Sequence, residues 1–358
     1  MIDYDQIISI PPFSLEKKEK KQLLTKTLKE LTLLHYDKCN EYRKIIDSLS
    51  FNPEKVESYY DIPYLPVRMF KEYSLKSIQD DEVVKTMTSS GTRGQQVSKI
   101  YLDRMTSTNQ TKVLTKIVSS YIGQKRMPMI ILDTSELLKN RAMLSARGAG
   151  ILGFSIFASD KVYALDENMN LNIDELKAFI EKHQGENILM FGFTFIIWQH
   201  FYGELLKTGY HPNLSKGIMI HGGGWKKLES EAVSQEEFKA SLKDVCGIEK
   251  VFNYYGMVEQ TGSIYMECEC GHLHTSIFSD IIIRRARDFN VADVGEKGLI
   301  EVVSIIPHSY PGHALLTEDE GVILGEDNCP CGRKGKYFKV FGRIKNAEIR
   351  GCSDTYAK

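Results

Sequence analysis

A chain of 358 residues, 42% hydrophobic and 26% charged, has the composition of an ordinary soluble globular protein. Its length corresponds to two or three domain-sized units, or to one large α/β unit with an appendage. The 46 basic and 47 acidic residues leave a formal net charge of -1, which gives no electrostatic case for nucleic acid or an anionic membrane as partner. The start, MIDYDQIISIPPF, lacks the basic region and long apolar run of a signal peptide. No uncharged apolar run approaches the ~20 residues that cross a bilayer. The expectation is a cytoplasmic protein with no membrane span.

In chain order, residues 14–48 read as helices, with Ser14 placed to cap the first and Leu24, Leu28 and Leu31 at helical spacing. The run Glu16 to Lys21 mixes signs and reads as a solvated helix face rather than a nucleic-acid patch. Asp61 to Pro66 reads as an extended connector. From about residue 83 short apolar runs alternate with helical segments. Met129–Asp133, Ile188–Phe193, Gly217–Ile220 and Val251–Tyr255 read as strands. Asp174–His183 reads as a helix capped by Asp174, with Leu176, Phe179 and Ile180 facing inward. Such alternation implies α/β layers around a largely parallel sheet, with functional groups at the carboxyl ends of the strands. After about residue 275 short strands and turns, including Leu299–Ile305 and Gly321–Leu324, suggest a smaller β-rich subdomain. The expected organisation is a helical region over 1–82, an α/β core over 83–275, a β-rich subdomain over 276–342 and a short tail over 343–358.

The strongest local signal is Thr88-Ser89-Ser90-Gly91-Thr92-Arg93-Gly94, followed by Lys99. Glycines let backbone N–H groups turn toward phosphate oxygens, hydroxyls add donors, and the lysine adds charge. The Gly-Lys-Ser/Thr of a Walker A loop is missing. A second signal is the cysteine distribution. Four of seven cysteines sit in two pairs, Cys268/Cys270 and Cys329/Cys331, with His272 and His274 beside the first. Thiolate and imidazole suit Zn²⁺, and six candidate donors compete for four positions of a structural site. Cys39 and Cys246 read as buried thiols. Phe191 to Phe195 with Trp198 reads either as core or as the wall of an acyl pocket, and His221 stands beside the glycine run Gly222-Gly223-Gly224.

The glycine-rich loop, Asn253-Tyr254-Tyr255-Gly256-Met257-Val258-Glu259, Leu316-Thr317-Glu318-Asp319 and Gly342-Arg343-Ile344-Lys345 come in the order of the landmarks of adenylate-forming enzymes, which they resemble. Arg93 and Val258 depart from the threonines of that pattern. The resemblance implies that Thr88, Ser89, Ser90, Gly91, Thr92 and Gly94 with Lys99 hold the phosphates of ATP. It also implies that Glu259 helps hold Mg²⁺, that Gly222, Gly223, Gly224, Tyr255 and Gly256 flank the adenine, that Asp319 meets the ribose, and that Arg343 opens a hinge. Carboxylate attack on a polyanion needs that neutralisation and orientation.

A narrower resemblance rests on His221-Gly222-Gly223-Gly224-Trp225-Lys226-Lys227, Tyr255 to Gly262, Ser309-Tyr310-Pro311-Gly312-His313 and Arg350-Gly351-Cys352-Ser353-Asp354. Together these are similar to the LuxE-type acyl-protein synthetases, nearly end to end. That likeness implies an ATP-dependent ligase that converts a fatty acid to acyl-AMP. The acyl group would then pass to Cys352, whose thiolate is a strong nucleophile, for delivery to an acyl-reductase partner. It also implies the N-terminal architecture of the superfamily without the large mobile C-terminal domain. Phenylacetate-CoA ligases, relatives in the superfamily, have a similar cysteine pair, and alignment on it selects Cys268, His274, Cys329 and Cys331 as ligands of a structural Zn²⁺. Two other classes fit the residues: an acyl-CoA ligase completed by another chain, and a non-catalytic nucleotide-binding component. Cys352 separates the first reading from the second, and Lys99, Glu259 and Asp319 argue against the third.

Overall fold

The computed structural model describes residues 2–89, 96–138, 143–225 and 231–344. They form two compact units, one of residues 2–121 with 256–344 and one of residues 122–255.

The second unit is built on five strands in the order Lys250–Tyr255, Ile218–Gly222, Leu189–Phe193, Met127–Leu132, Ala158–Tyr163, each pair of neighbours parallel. Ile131, Phe191, Ile220 and Phe252 lie in register across it. The central strands are apolar on both faces because helices cover both faces of a parallel sheet. Ile130, Met190, Met219 and Val251 pack with Leu176 and Phe179 of the helix Ile173–Lys182 and with Phe238, Leu242 and Val245 of the helix Gln235–Cys246. Asn172, not Asp174, caps the first of these, accepting from Glu175 N at 3.3 Å. Asp174 falls in the first turn, where its charge still complements the helix dipole. Trp198 packs on Tyr202, Trp225 and Phe238, so the core reading of that aromatic run describes its contacts. Cys246 is buried in the same cluster.

The first unit carries an antiparallel sheet in the order Leu273–His274, Lys336–Arg343, Ala314–Glu326, Lys297–Ser304, Ser279–Arg284. The connector before it is not free: Leu65–Pro66 pairs in parallel with Leu315 and Leu316. The helix Lys17–Lys38 begins after Glu16, and the Ser14 hydroxyl donates instead to Pro11 O. Leu24, Leu28 and Leu31 are fully buried, and Cys39, just past the helix, is buried as well. The charged run at the start is not solvated throughout. Lys20 lies four residues before Leu24, on the same helical face, and is only 2% exposed. Its ammonium donates to Thr275 Oγ1 at 2.7 Å and faces Asp280 at 3.5 Å, beside Lys336 at 3.2 Å from the same carboxylate. No helix of the described residues is long and apolar enough to cross a membrane.

Candidate adenylation site and cysteine centre

Each unit carries its own share of the predicted residues. In the first, the strands Lys85–Thr88 and Lys99–Leu102 form an antiparallel pair with Thr88 opposite Lys99. The two ends of the glycine-rich loop are therefore held side by side. Ser89 N donates to Ser98 O at 3.1 Å and Ser98 N to Ser89 Oγ at 2.9 Å, closing its neck. Thr88 is buried and Lys99 exposed. Ser90, Gly91, Thr92, Arg93 and Gly94 lie outside the described residues, as do Lys345 and Cys352.

Glu259 sits in the tight turn Val258–Gln260 and is 6% exposed. Burial pushes its carboxyl pKa up, and a hydrogen bond with Ser98 opposes that rise. A buried carboxylate at the neck of the glycine-rich loop is a hard oxygen donor of the kind Mg²⁺ takes. Asp319 faces Arg343 across the sheet, Oδ1 to Nε 3.9 Å. Ser98 was not singled out by the sequence, because nothing marks one serine of a loop as the partner of a distant carboxylate.

In the second unit the strand Ile218–Gly222 ends in the glycine run. Gly222 lies against the ring of Tyr254: a Cβ there would meet ring atoms at 2.5–2.8 Å. Gly223 takes φ +78°, open to glycine at no steric cost. Thr194 Oγ1 lies 2.9 Å from His221 Nδ1, 2.9 Å from Gly223 O and 3.2 Å from Gly222 O. Its single proton goes to a carbonyl, so it accepts from His221 Nδ1–H. The imidazole is neutral, since burial lowers its pKa to about 3. This places His221 as a support for the glycine turn. Tyr254 lies tilted against Phe154 and stacks toward Phe191. Tyr255 ends the strand Lys250–Tyr255, and Gly256 begins the next stretch of the first unit. Thr194 and Tyr254 carry a signal only in hindsight: a tyrosine pair before glycine, and a threonine at the end of a buried strand.

The cysteine hairpins lie wholly in the first unit. Among the described residues Cys268, His274, Cys329 and Cys331 bring their donor atoms within 4.8 Å of one another. Cys268 Sγ is 3.9 Å from Cys329 Sγ, and Cys331 Sγ is 3.4 Å from His274 Nε2. Burial pushes the Cys329 thiol up to about 12 and lowers the His274 imidazole to about 4, where it stays neutral. His274 Nδ1 has no partner among the described residues. Three sulfurs and a neutral imidazole in a closed cluster fit a structural Zn²⁺. Cys270 is exposed and outside the set, and His272 Nδ1 lies 3.4 Å from Cys329 Sγ, placed to donate to that sulfur.

Comparison with known proteins decides the family. Residues 1–358 match the profile of "Acyl-protein synthetase, LuxE". The chain belongs to the LuxE acyl-protein synthetase family, a family of ligases. It is 24% identical over 361 residues to a long-chain-fatty-acid–luciferin-component ligase of Vibrio harveyi, covering 98% of this chain and 91% of that one. A protein of the same name from Aliivibrio fischeri is 23% identical over 367 residues, covering 98% and 92%. Among solved structures the fold is similar to an open conformation of 2-hydroxyisobutyryl-CoA ligase in complex with 2-HIB-AMP and CoA. The TM-score is 0.72 at 13% identity, over 93% of this chain and 71% of that one. The fold is that of adenylate-forming enzymes, as expected from the order of the landmarks.

Proposed function

We propose that this LuxE-family chain is a cytoplasmic, ATP-dependent synthetase that activates a long-chain fatty acid as acyl-AMP, loads it on Cys352, and delivers it to an acyl-reductase partner. The observation that carries the first step is the neck of the phosphate loop. There Thr88 and Lys99 face each other across two strands, and the buried Glu259 carboxylate meets Ser98 one residue from Lys99. Lys99 and the loop amides would neutralise the triphosphate, and Glu259 would hold Mg²⁺ at the charge that develops on the α-phosphate. The fatty-acid substrate is supported by the names of the relatives. Transfer then breaks the acyl–phosphate bond of the mixed anhydride, forms a thioester at Cys352 Sγ and releases AMP, with the thiol proton lost to solvent.

Carboxylate-dependent ATP–pyrophosphate exchange tests the first step. Lys99→Ala and Glu259→Ala are expected to lower exchange by about 10²-fold or more, and unchanged rates in both would remove them from the reaction. Labelled fatty acid tests the second. Cys352→Ser should still form acyl-AMP but carry no hydroxylamine-sensitive label. Label that persists in this variant would exclude Cys352 as carrier. Label that moves only to added CoA would favour the acyl-CoA ligase reading.

A further inference from the structure

The turn from Ser309 to His313 is a landmark of the family resemblance with no part in the adenylation reading. Its geometry is specific. Tyr310 is fully buried, and its hydroxyl donates to the main-chain carbonyl of Glu259 at 2.8 Å. Gly312 lies so close that a Cβ would stand 2.3 Å from the Tyr310 ring and 2.9 Å from Glu259 O. The neighbouring Gln260 side-chain amide donates to Gly312 O at 2.8 Å and Val302 O at 3.1 Å. The Ser309 hydroxyl donates to Tyr101 O at 2.8 Å, two residues beyond Lys99 on its strand. One short turn thus ties the peptide of the carboxylate and the strand of the lysine. Every group involved belongs to the first unit.

We propose that Tyr310 is a positioning residue for adenylation: its hydroxyl fixes the Glu259 peptide, and thereby places that carboxylate to receive a divalent cation. The inference rests on the reading of Glu259 given above. Glu259 follows Val258 in a turn of three residues, so its side-chain direction is set by its own backbone. Removing the hydroxyl leaves a buried carbonyl without its donor, and the turn relaxes to find another. The ring itself touches neither nucleotide nor acid in this reading.

The test is Tyr310→Phe, which deletes one oxygen, assayed by palmitate-dependent ATP–pyrophosphate exchange across a Mg²⁺ titration. The Mg²⁺ concentration for half-maximal exchange should rise about tenfold, the scale on which one unsatisfied buried acceptor acts. The rate at saturating Mg²⁺ should fall much less. A merely structural tyrosine would lower the melting temperature and the active fraction and leave that midpoint in place, which would overturn the proposal. In a Glu259→Gln background Tyr310→Phe should shift the midpoint no further, since the two act as one unit. If Glu259→Gln leaves the Mg²⁺ dependence unchanged, the Mg²⁺ role of Glu259 fails and the inference with it. If Glu259→Gln shifts the dependence and Tyr310→Phe does not, only the inference fails. Should Tyr310→Phe not accumulate as folded protein, Phe70→Leu carries the same test. Phe70 meets the Tyr310 ring edge-on at 6.0 Å between centroids, so the change loosens the ring without touching Glu259.

Discussion

Replacing Asp280 by Asn should cost the first unit more stability, relative to the unaltered protein, at neutral pH than in acid. The carboxylate is 1% exposed and receives the Tyr59 hydroxyl together with the ammoniums of Lys20 and Lys336. Burial alone would raise its pKa. The two ammoniums and Tyr59 outweigh that and hold it at about 2, against an ordinary 3.8. That depression corresponds to roughly 2–3 kcal/mol of stability at pH 7. Because the folded value is the lower one, the contribution is complete above pH ~4 and is lost as pH falls toward 2. Asn keeps the shape but takes the paired carboxylate from two buried ammoniums, leaving them only the weaker attraction of Glu326, so the whole cost should approach 3–5 kcal/mol, about that of breaking a buried pair. At about 2–4 °C per kcal/mol, the melting temperature should drop by roughly 6–20 °C. The assay is urea unfolding at pH 7 and pH 3 followed by far-ultraviolet circular dichroism, since both tryptophans, Trp198 and Trp225, lie in the other unit. Adding Lys20→Met to the variant should recover part of the loss by removing one unpaired charge. Equal midpoints for Asp280→Asn and the unaltered protein at pH 7, or no recovery in the double variant, would refute the electrostatic account.

Two further predictions concern the site and the cysteine centre. Gly222→Ala places a methyl 2.5 Å from the Tyr254 ring. Such overpacking costs about 1–3 kcal/mol and should raise the ATP concentration for half-maximal pyrophosphate exchange by about tenfold. An unchanged ATP dependence would detach the glycine run from the nucleotide. For the cysteine centre, elemental analysis of protein purified without chelator should find zinc at one per chain. Metal removal should lower the melting temperature, because binding free energy is folding free energy. Cys329→Ser should lose the metal while Cys270→Ser keeps it, and loss from Cys270→Ser would change the ligand set.

Much of this fold is legible in the sequence, for a physical reason. A parallel strand is buried on both faces, so Met127–Leu132, Leu189–Phe193 and Ile218–Gly222 appear as short apolar runs that need no partner to be noticed. Capping is less legible. Asn172 and Asp174 are both good caps two residues apart, and the backbone at Asn172 decides between them. Lys20 reads with its charged neighbours because a sign pattern says nothing about which member of the run turns inward. Its burial depends on Asp280, some two hundred and sixty residues later, and no local window contains that pairing.

The same distinction applies to function. Groups that touch a ligand need special chemistry, so candidates for that role announce themselves as glycine, lysine, glutamate and cysteine in short spacings: the loop after Thr88, Tyr-Gly before Glu259, the Cys-x-Cys hairpins. Groups that hold those in place need only shape and one hydrogen bond, which any threonine, tyrosine or histidine can supply. Thr194 and His221 under the glycine turn, and Tyr310 under Glu259, are of this kind. Their motifs are visible as motifs, His-Gly-Gly-Gly and Ser-Tyr-Pro-Gly-His, but their roles come from contacts across 27 and 51 residues of chain. Placement within a fraction of an ångström decides rate as much as the identity of the reacting group does. Substitutions at these supports should therefore alter cation and nucleotide dependence before they abolish turnover, whereas substitutions at Lys99 and Glu259 should lower the rate itself, by about 10²-fold or more.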